Sequence, residues 1–302
     1  MSELKRLVEC VPNFSEGRRP EVVDAIVAAI QSVAGVRVVD RSMDASHNRA
    51  VVTVVGAPEG VAEAAFRGIQ QASQLIDLRS HQGEHPRIGA TDVVPFIPLE
   101  GTTMDDCVRL AHALGARVGR ELHIPVYYYE SAAKTPARKN LPDVRNIGFE
   151  ALSTAVATDP ARTPDEGPRN ALHPSAGATV IGARKFLIAF NVNLKSEDVA
   201  LAKEIAKKIR EKDGGLKGIK AMGFGLDDPK CAQVSMNVCD FESTGLERVY
   251  TEIERLAAEK GVGILESELV GLAPRASLPG ETAKRIQLRG FQPHLQLIEE
   301  LL

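Results

Sequence analysis

The sequence predicts an α/β (α+β) fold of two successive βαββαβ subdomains, and three observations carry that prediction. β-Branched runs alternate with stretches whose apolar residues recur every three or four positions. The same order of elements occurs twice. Between the two occurrences lies residues 159–177, a polar segment with four prolines. A chain of 302 residues, 44% apolar and 25% charged, has the length and composition for two globular cores.

In order, LVECVPNF (7–14) is expected to be a strand, and Pro20 opens a helix with Val23, Ile26, Val27 and Ile30 on one face, ended by Gly35. VRVVD (36–40) and RAVVTVVG (49–56) follow as paired strands across a polar loop. A helix with Val61, Ala65, Ile69 and Ala72 inward leads to the strand DVVPFIPL (92–99). Thr103 and Asp106 form a capping-box pattern before an extra helix, and IPVYYY (124–129) closes the first half. The second half repeats the order: strand 184–194, a helix capped by Ser196, strands 219–226 and 233–240 joined by a turn at 227–229, a helix with Thr244 and Glu247 in a capping-box pattern, and strand 262–271. This is the split-βαβ or ferredoxin-like order, twice. The expected boundaries are 1–177, including the linker 159–177, and 178–302.

Composition narrows the function. A formal net charge of −3, 4% aromatic residues and no Trp argue against nucleic acid or an anionic membrane as partner. Cys10, Cys107, Cys231 and Cys239 lack CxxC spacing and sit in apolar surroundings, as buried free thiols do. MSELKRLVEC has no apolar signal-peptide core, and no run approaches 18 apolar residues, so a cytoplasmic location is expected.

Three polar clusters are candidates for chemistry. HQGEHPRIGATD (81–92) holds His81, Glu84, His85, Arg87 and Asp92. Gly83 and Pro86 interrupt the helix that would set His81 and His85 on one face for zinc, and the HExxH order is missing, so no metal is expected. Proton transfer by an imidazole fits better, with Arg87 as a carboxylate fork; an idle polar loop is the alternative. MDASHNRAV (43–51) supplies Asp44, His47, Asn48 and Arg49, where ordinary Asx-turn chemistry is the bland explanation. HPSAGATVIGARKF (173–186) has two glycines, Gly177 and Gly182, which let a backbone approach a flat ligand, and leads to Arg184 and Lys185.

VECVPNFSEGR (8–18), HNR (47–49), IDLRSHQGEHPRIGATDVVPFIP (76–98), GARKFLIAFNVNL (182–194) and LVGLAP (269–274), taken together and in this order, resemble the glutamate formimidoyltransferase family. The likeness extends to the formiminotransferase half of formiminotransferase–cyclodeaminase and covers about residues 7–278. It implies transfer of the formimino group of N-formimino-L-glutamate to N5 of tetrahydrofolate, with release of glutamate in histidine degradation. It further implies two ferredoxin-like subdomains with a ligand channel between them, usually in a homodimer; with the chain stopping at Leu302, no cyclodeaminase domain is expected. By the resemblance, His85 of the GEHPR motif is catalytic and residues 167–177 contact folate: Gly167, Pro168, His173, Pro174, Ser175, Ala176 and Gly177. Ala176 stands where mammalian relatives have tryptophan. Asp44 would orient the imidazole or stabilise the amidinium; Arg49, Arg87 and Arg184 are candidates for substrate carboxylates, with Glu84 beside them. The attacking nitrogen must lose a proton and the departing glutamate nitrogen must gain one, so one imidazole serves as base and then acid. His81 is expected to be a bystander. The alternatives are a folate-binding relative without transferase activity and a hydrolase acting on formiminoglutamate.

Overall fold

The computed structural model describes residues 6–83 and 86–302, which form two compact units, one running through Arg184 and the other from Lys185 to Leu302. The first unit contains β1 (Val8–Cys10), β2 (Asn13–Phe14), α1 (Pro20–Gln31), β3 (Val36–Asp44), β4 (Arg49–Gly56), α2 (Pro58–Leu75), β5 (Thr91–Pro98), α3 (Met104–Glu121), β6 (Val126–Glu130), α4 (Leu141–Arg145), α5 (Gly148–Thr158) and β7 (Thr179–Ala183). β1 and β2 pair antiparallel with the same neighbours, β4 and β5. They are one strand line broken at Pro12, which has no amide hydrogen to donate; its carbonyl still accepts from Val52 N at 3.1 Å. Counting that line once, the elements run βαββαβ as expected, and the antiparallel strands lie in the order β5, β1/β2, β4, β3.

Alternation sorts the side chains. Val8, Cys10, Val52, Val54, Val94 and Phe96 share one core with the inward faces of α1, α2 and α3. Val93, Tyr127, Tyr129 and Val180 point the other way, against Val144 of α4 and Leu152 of α5. Each such apolar side chain, fully buried, contributes about 1.5–3 kcal/mol. Thr103 accepts from Asp106 N at 3.1 Å and Asp106 accepts from Thr103 N at 2.8 Å, the expected capping box.

One boundary differs from expectation. Residues 179–183 form β7, which pairs in parallel with both β5 and β6. They therefore belong to the first sheet, and the next strand begins at Ile188 rather than 184. TVIGA is buried at every position, so it lacks the period-2 signal that would separate it from the strand that follows.

The second unit contains β8 (Ile188–Leu194), α6 (Val199–Ile209), β9 (Ile219–Asp227), β10 (Lys230–Val238), α7 (Leu246–Ala258) and β11 (Ile264–Val270). Its sheet order is β11, β8, β10, β9, all antiparallel, the same arrangement as the four-strand core of the first unit. Two helix starts correct the expectation. Asp198, not Ser196, caps α6, accepting from Ala200 N and Leu201 N at 2.9 and 3.1 Å. α7 has Gly245 at its N-cap and no side-chain cap; the Thr244 hydroxyl donates instead to Lys217 O at 2.7 Å.

Candidate active site

The turn between β3 and β4 is built by its own side chains. Asp44 Oδ1 accepts from the backbone N–H groups of Ser46 and His47, both at 2.9 Å, and Oδ2 lies 2.6 Å from His47 Nδ1. The amide bond from His47, ahead of the opposing effect of partial burial, holds the Asp44 carboxyl below its ordinary range. Asn48 adopts φ 49°, a conformation asparagine tolerates better than most residues. Its side chain is the stitch between distant segments: Oδ1 accepts from Gly17 N at 2.8 Å and Nδ2 donates to Gln82 O at 2.9 Å. Gly17 and Gly83 permit these approaches, since a Cβ would lie 2.1 Å from Asp44 O in the first case and 2.5 Å from His47 O in the second.

The 81–92 stretch joins the same cluster. His81 Nε2 lies 3.0 Å from Asn48 O. Arg87 Nε donates to His81 Nδ1 at 2.8 Å, and Arg87 Nη2 donates to His81 O at 2.9 Å and to Glu150 Oε1 at 2.8 Å. Asp92, 2% exposed, accepts from Ile88 N at 2.8 Å and from Arg145 Nη1 at 2.6 Å. Glu84 and His85 lie outside the described residues. Arg49 has a lowered pKa, first because it is buried and then because Arg145 is close, while Asp44 and Asp92 act in the opposite sense. Among the described residues its guanidinium has no hydrogen-bond partner.

The third cluster is attached to the second. His173 and Gly177 exchange two backbone hydrogen bonds of 3.0 Å, and His173 Nδ1 accepts from Ala176 N at 3.0 Å. Leu78 N donates to Ser175 O, Ala90 N to Ala176 O, and Ala178 N to Ile88 O, each at 2.9 Å. Gly177 (φ 69°) leaves no room for a Cβ, which would meet Ile88 O at 2.2 Å. Ala176 packs its methyl into the core, 2% exposed, and Gly167 (φ 80°) turns the chain beside Ile124. Pro168, Pro174 and Ser175 lie in this connection without a side-chain bond of their own among the described residues. The Thr91 and Thr179 hydroxyls, at the starts of β5 and β7, are buried and unpartnered among the described residues.

Arg184 sits elsewhere. Its N–H donates to Phe96 O at 3.0 Å, placing it beside a residue four positions from Asp92 along β5, about 13 Å at 3.3 Å per residue. There it lies near the Tyr129 side chain and Glu9, a buried carboxyl raised to about 7 by burial, against the pull of Arg184.

The described residues of sequence clusters 43–51, 81–92 and 167–177 thus meet on the first unit. Asp92, Arg145, Glu150 and Asn48 were not assigned roles from the sequence; Asn48 was visible as part of the HNR turn and Asp92 as a charge opening an apolar strand, while Arg145 and Glu150 carried no local signal. Arginines, aspartates and histidines gathered at one end of a sheet in an α/β scaffold are the equipment of an enzyme that handles small anionic molecules. Comparison with known proteins gives the family. Residues 7–184 match the formiminotransferase domain, N-terminal subdomain, and residues 189–284 match the formiminotransferase domain. The chain is 44% identical to the glutamate formimidoyltransferase of Streptococcus pyogenes serotype M1 over 99% of both chains, and 47% identical to that of Thermoplasma acidophilum over 94% of both. It is 48% identical to the formimidoyltransferase-cyclodeaminase of Sus scrofa over 91% of this chain and 51% of that one. The chain belongs to the formiminotransferase family.

Proposed function

We infer that the protein transfers the formimino group of N-formimino-L-glutamate to N5 of tetrahydrofolate, releasing L-glutamate, in histidine degradation. The observation that carries this is end-to-end similarity to relatives named for that transfer. The site is compatible with it. Arg49, half-buried with no partner among the described residues and beside Arg145, suits a substrate carboxylate, and Arg184 suits a second carboxylate at the far end of a long substrate. Arg87 is spent on His81 and Glu150, so it is a strut and not a clamp. His85 takes the proton from the attacking nitrogen and returns it to the departing one; Glu84 adjoins it in sequence. Asp44, whose oxygens hold the turn and His47, supports the site through that turn. Residues 167–177 contribute backbone groups to folate, with tetrahydrofolate a co-substrate and no metal required. Among the described residues no helix is long and apolar enough to cross a membrane; a cytoplasmic homodimer is the expected form.

The test is purified protein with both substrates, following glutamate release and the formimino product. His85→Ala is expected to lose roughly 100- to 10,000-fold in turnover. Glutamate release without tetrahydrofolate would identify a hydrolase, and tight tetrahydrofolate binding without release would identify a binding protein.

A further inference from the structure

We propose that His81 is a positioning residue for proton transfer: with Arg87 it ties together the two ends of the stretch that carries His85, and through Asn48 it anchors that stretch to the 44–49 turn. The proposal rests on the reading of His85 as the proton carrier and reverses the bystander role expected for His81.

The hydrogen bonds fix the state of the ring. Arg87 Nε can only donate, so His81 Nδ1, 2.8 Å away, accepts and carries no proton. Asn48 O can only accept, so His81 Nε2, 3.0 Å away, carries the proton and donates. Both neighbours therefore demand the same neutral tautomer. Burial, the largest influence, holds the His81 pKa below its ordinary value, which keeps that neutral form populated at neutral pH.

The same contacts set the ends of the stretch. Arg87 reaches back across five intervening residues to bond both the ring and the carbonyl of His81, at 2.8 and 2.9 Å. Glu150 holds the guanidinium from its other side at 2.8 Å. Asn48 adds a further tie to Gln82 O at 2.9 Å, and the missing Cβ of Gly83 allows the stretch to lie against His47 O. A bridge of this kind restricts the conformations open to the chain between its ends. Its consequence is catalytic, because proton transfer requires hydrogen-bond reach and a displacement of about 1 Å can cost 100-fold in rate.

The experiment compares His81→Ala, His85→Ala and the double variant in the transfer assay, with unfolding temperatures. His81→Ala is expected to lower kcat roughly 10- to 100-fold, with KM for both substrates and the unfolding temperature near wild type. The double variant should be no slower than His85→Ala alone, since His81 acts only through His85. His81→Asn, which keeps an acceptor where Nδ1 lies, should recover most of the loss. Unchanged kcat in His81→Ala overturns the proposal, and so does a loss that multiplies in full onto that of His85→Ala. Full transfer by His85→Ala alone would remove the proton-carrier reading itself, and is visible without reference to His81. Should His81→Ala not fold, His81→Gln serves the same comparison, because its amide reaches Asn48 O but offers Arg87 no acceptor at the Nδ1 position.

Discussion

Glu9 shows how one buried group sets a pH dependence. It lies in β1, 3% exposed, with Arg184 as a nearby cation. Burial outweighs that cation and raises its carboxyl from 4.5 to about 7. A raised carboxyl favours the fold where the folded group holds a proton that the unfolded one releases. Its favourable contribution is complete below 4.5 and is lost as pH rises through about 7. The shift corresponds to roughly 3 kcal/mol across that window. Glu9→Gln keeps the shape and removes the charge, so the variant should gain on wild type at pH 8 and the gap should close toward pH 4.5. Thermal unfolding of both proteins across that range checks it; a gap independent of pH would show that Glu9 does not titrate there. Asp44 works in the other direction. Its depressed carboxyl stabilises the turn above 3.8 and releases it only as pH falls further, so the two groups act in separate windows.

At the scale of elements, the caps decide where helices begin. Asp198 accepts two amide bonds at the start of α6, while Ser196 Oγ accepts one from Asp198 N at 3.1 Å. Asp198→Ala should therefore cost about 1 kcal/mol, and Ser196→Ala clearly less, in urea unfolding; equal losses would contradict the assignment. Gly115 of α3 offers a second check. A Cβ there would lie 2.4 Å from the Tyr128 hydroxyl oxygen and 2.6 Å from its ring, so Gly115→Ala should cost about 1–3 kcal/mol by overpacking. An unchanged unfolding midpoint would mean that Tyr128 moves freely. Most strands and helices were legible in sequence because each has one polar face, as in α1 and β9. α4, α5 and β7 were not: the helices are short and carry weak patterns, and TVIGA is buried on both faces. The three polar clusters were visible as clusters. Their meeting was not, because Asp92 and Arg145 are 53 residues apart and nothing local announces a partner at that distance. The contact of His81 with Asn48, 33 residues away, was hidden for the same reason.

At the scale of the molecule, one βαββαβ plan serves two purposes. In the first unit α3, β6 and β7 extend the plan, so that β5 and β7 are covered on both faces. The described residues of the 43–51, 81–92 and 167–177 clusters all belong to that unit. In the second unit the four strands stand alone, and β9 pairs only with β10 among the described residues. From Ile219 to Phe224 every second side chain of β9 is exposed, with Met222 at 60% and Phe224 at 43%. Local opening should follow this difference, since few buried contacts and solvent-facing amides mark the segments that open most easily. Amide hydrogen exchange should therefore be slowest in β5 and β7 and fastest along β9 and its turn at 227–230. The first unit should thus hold its sheet closed beneath the site while the β9 edge exchanges by local opening. Exchange along β9 as slow as in β7 would refute this ordering.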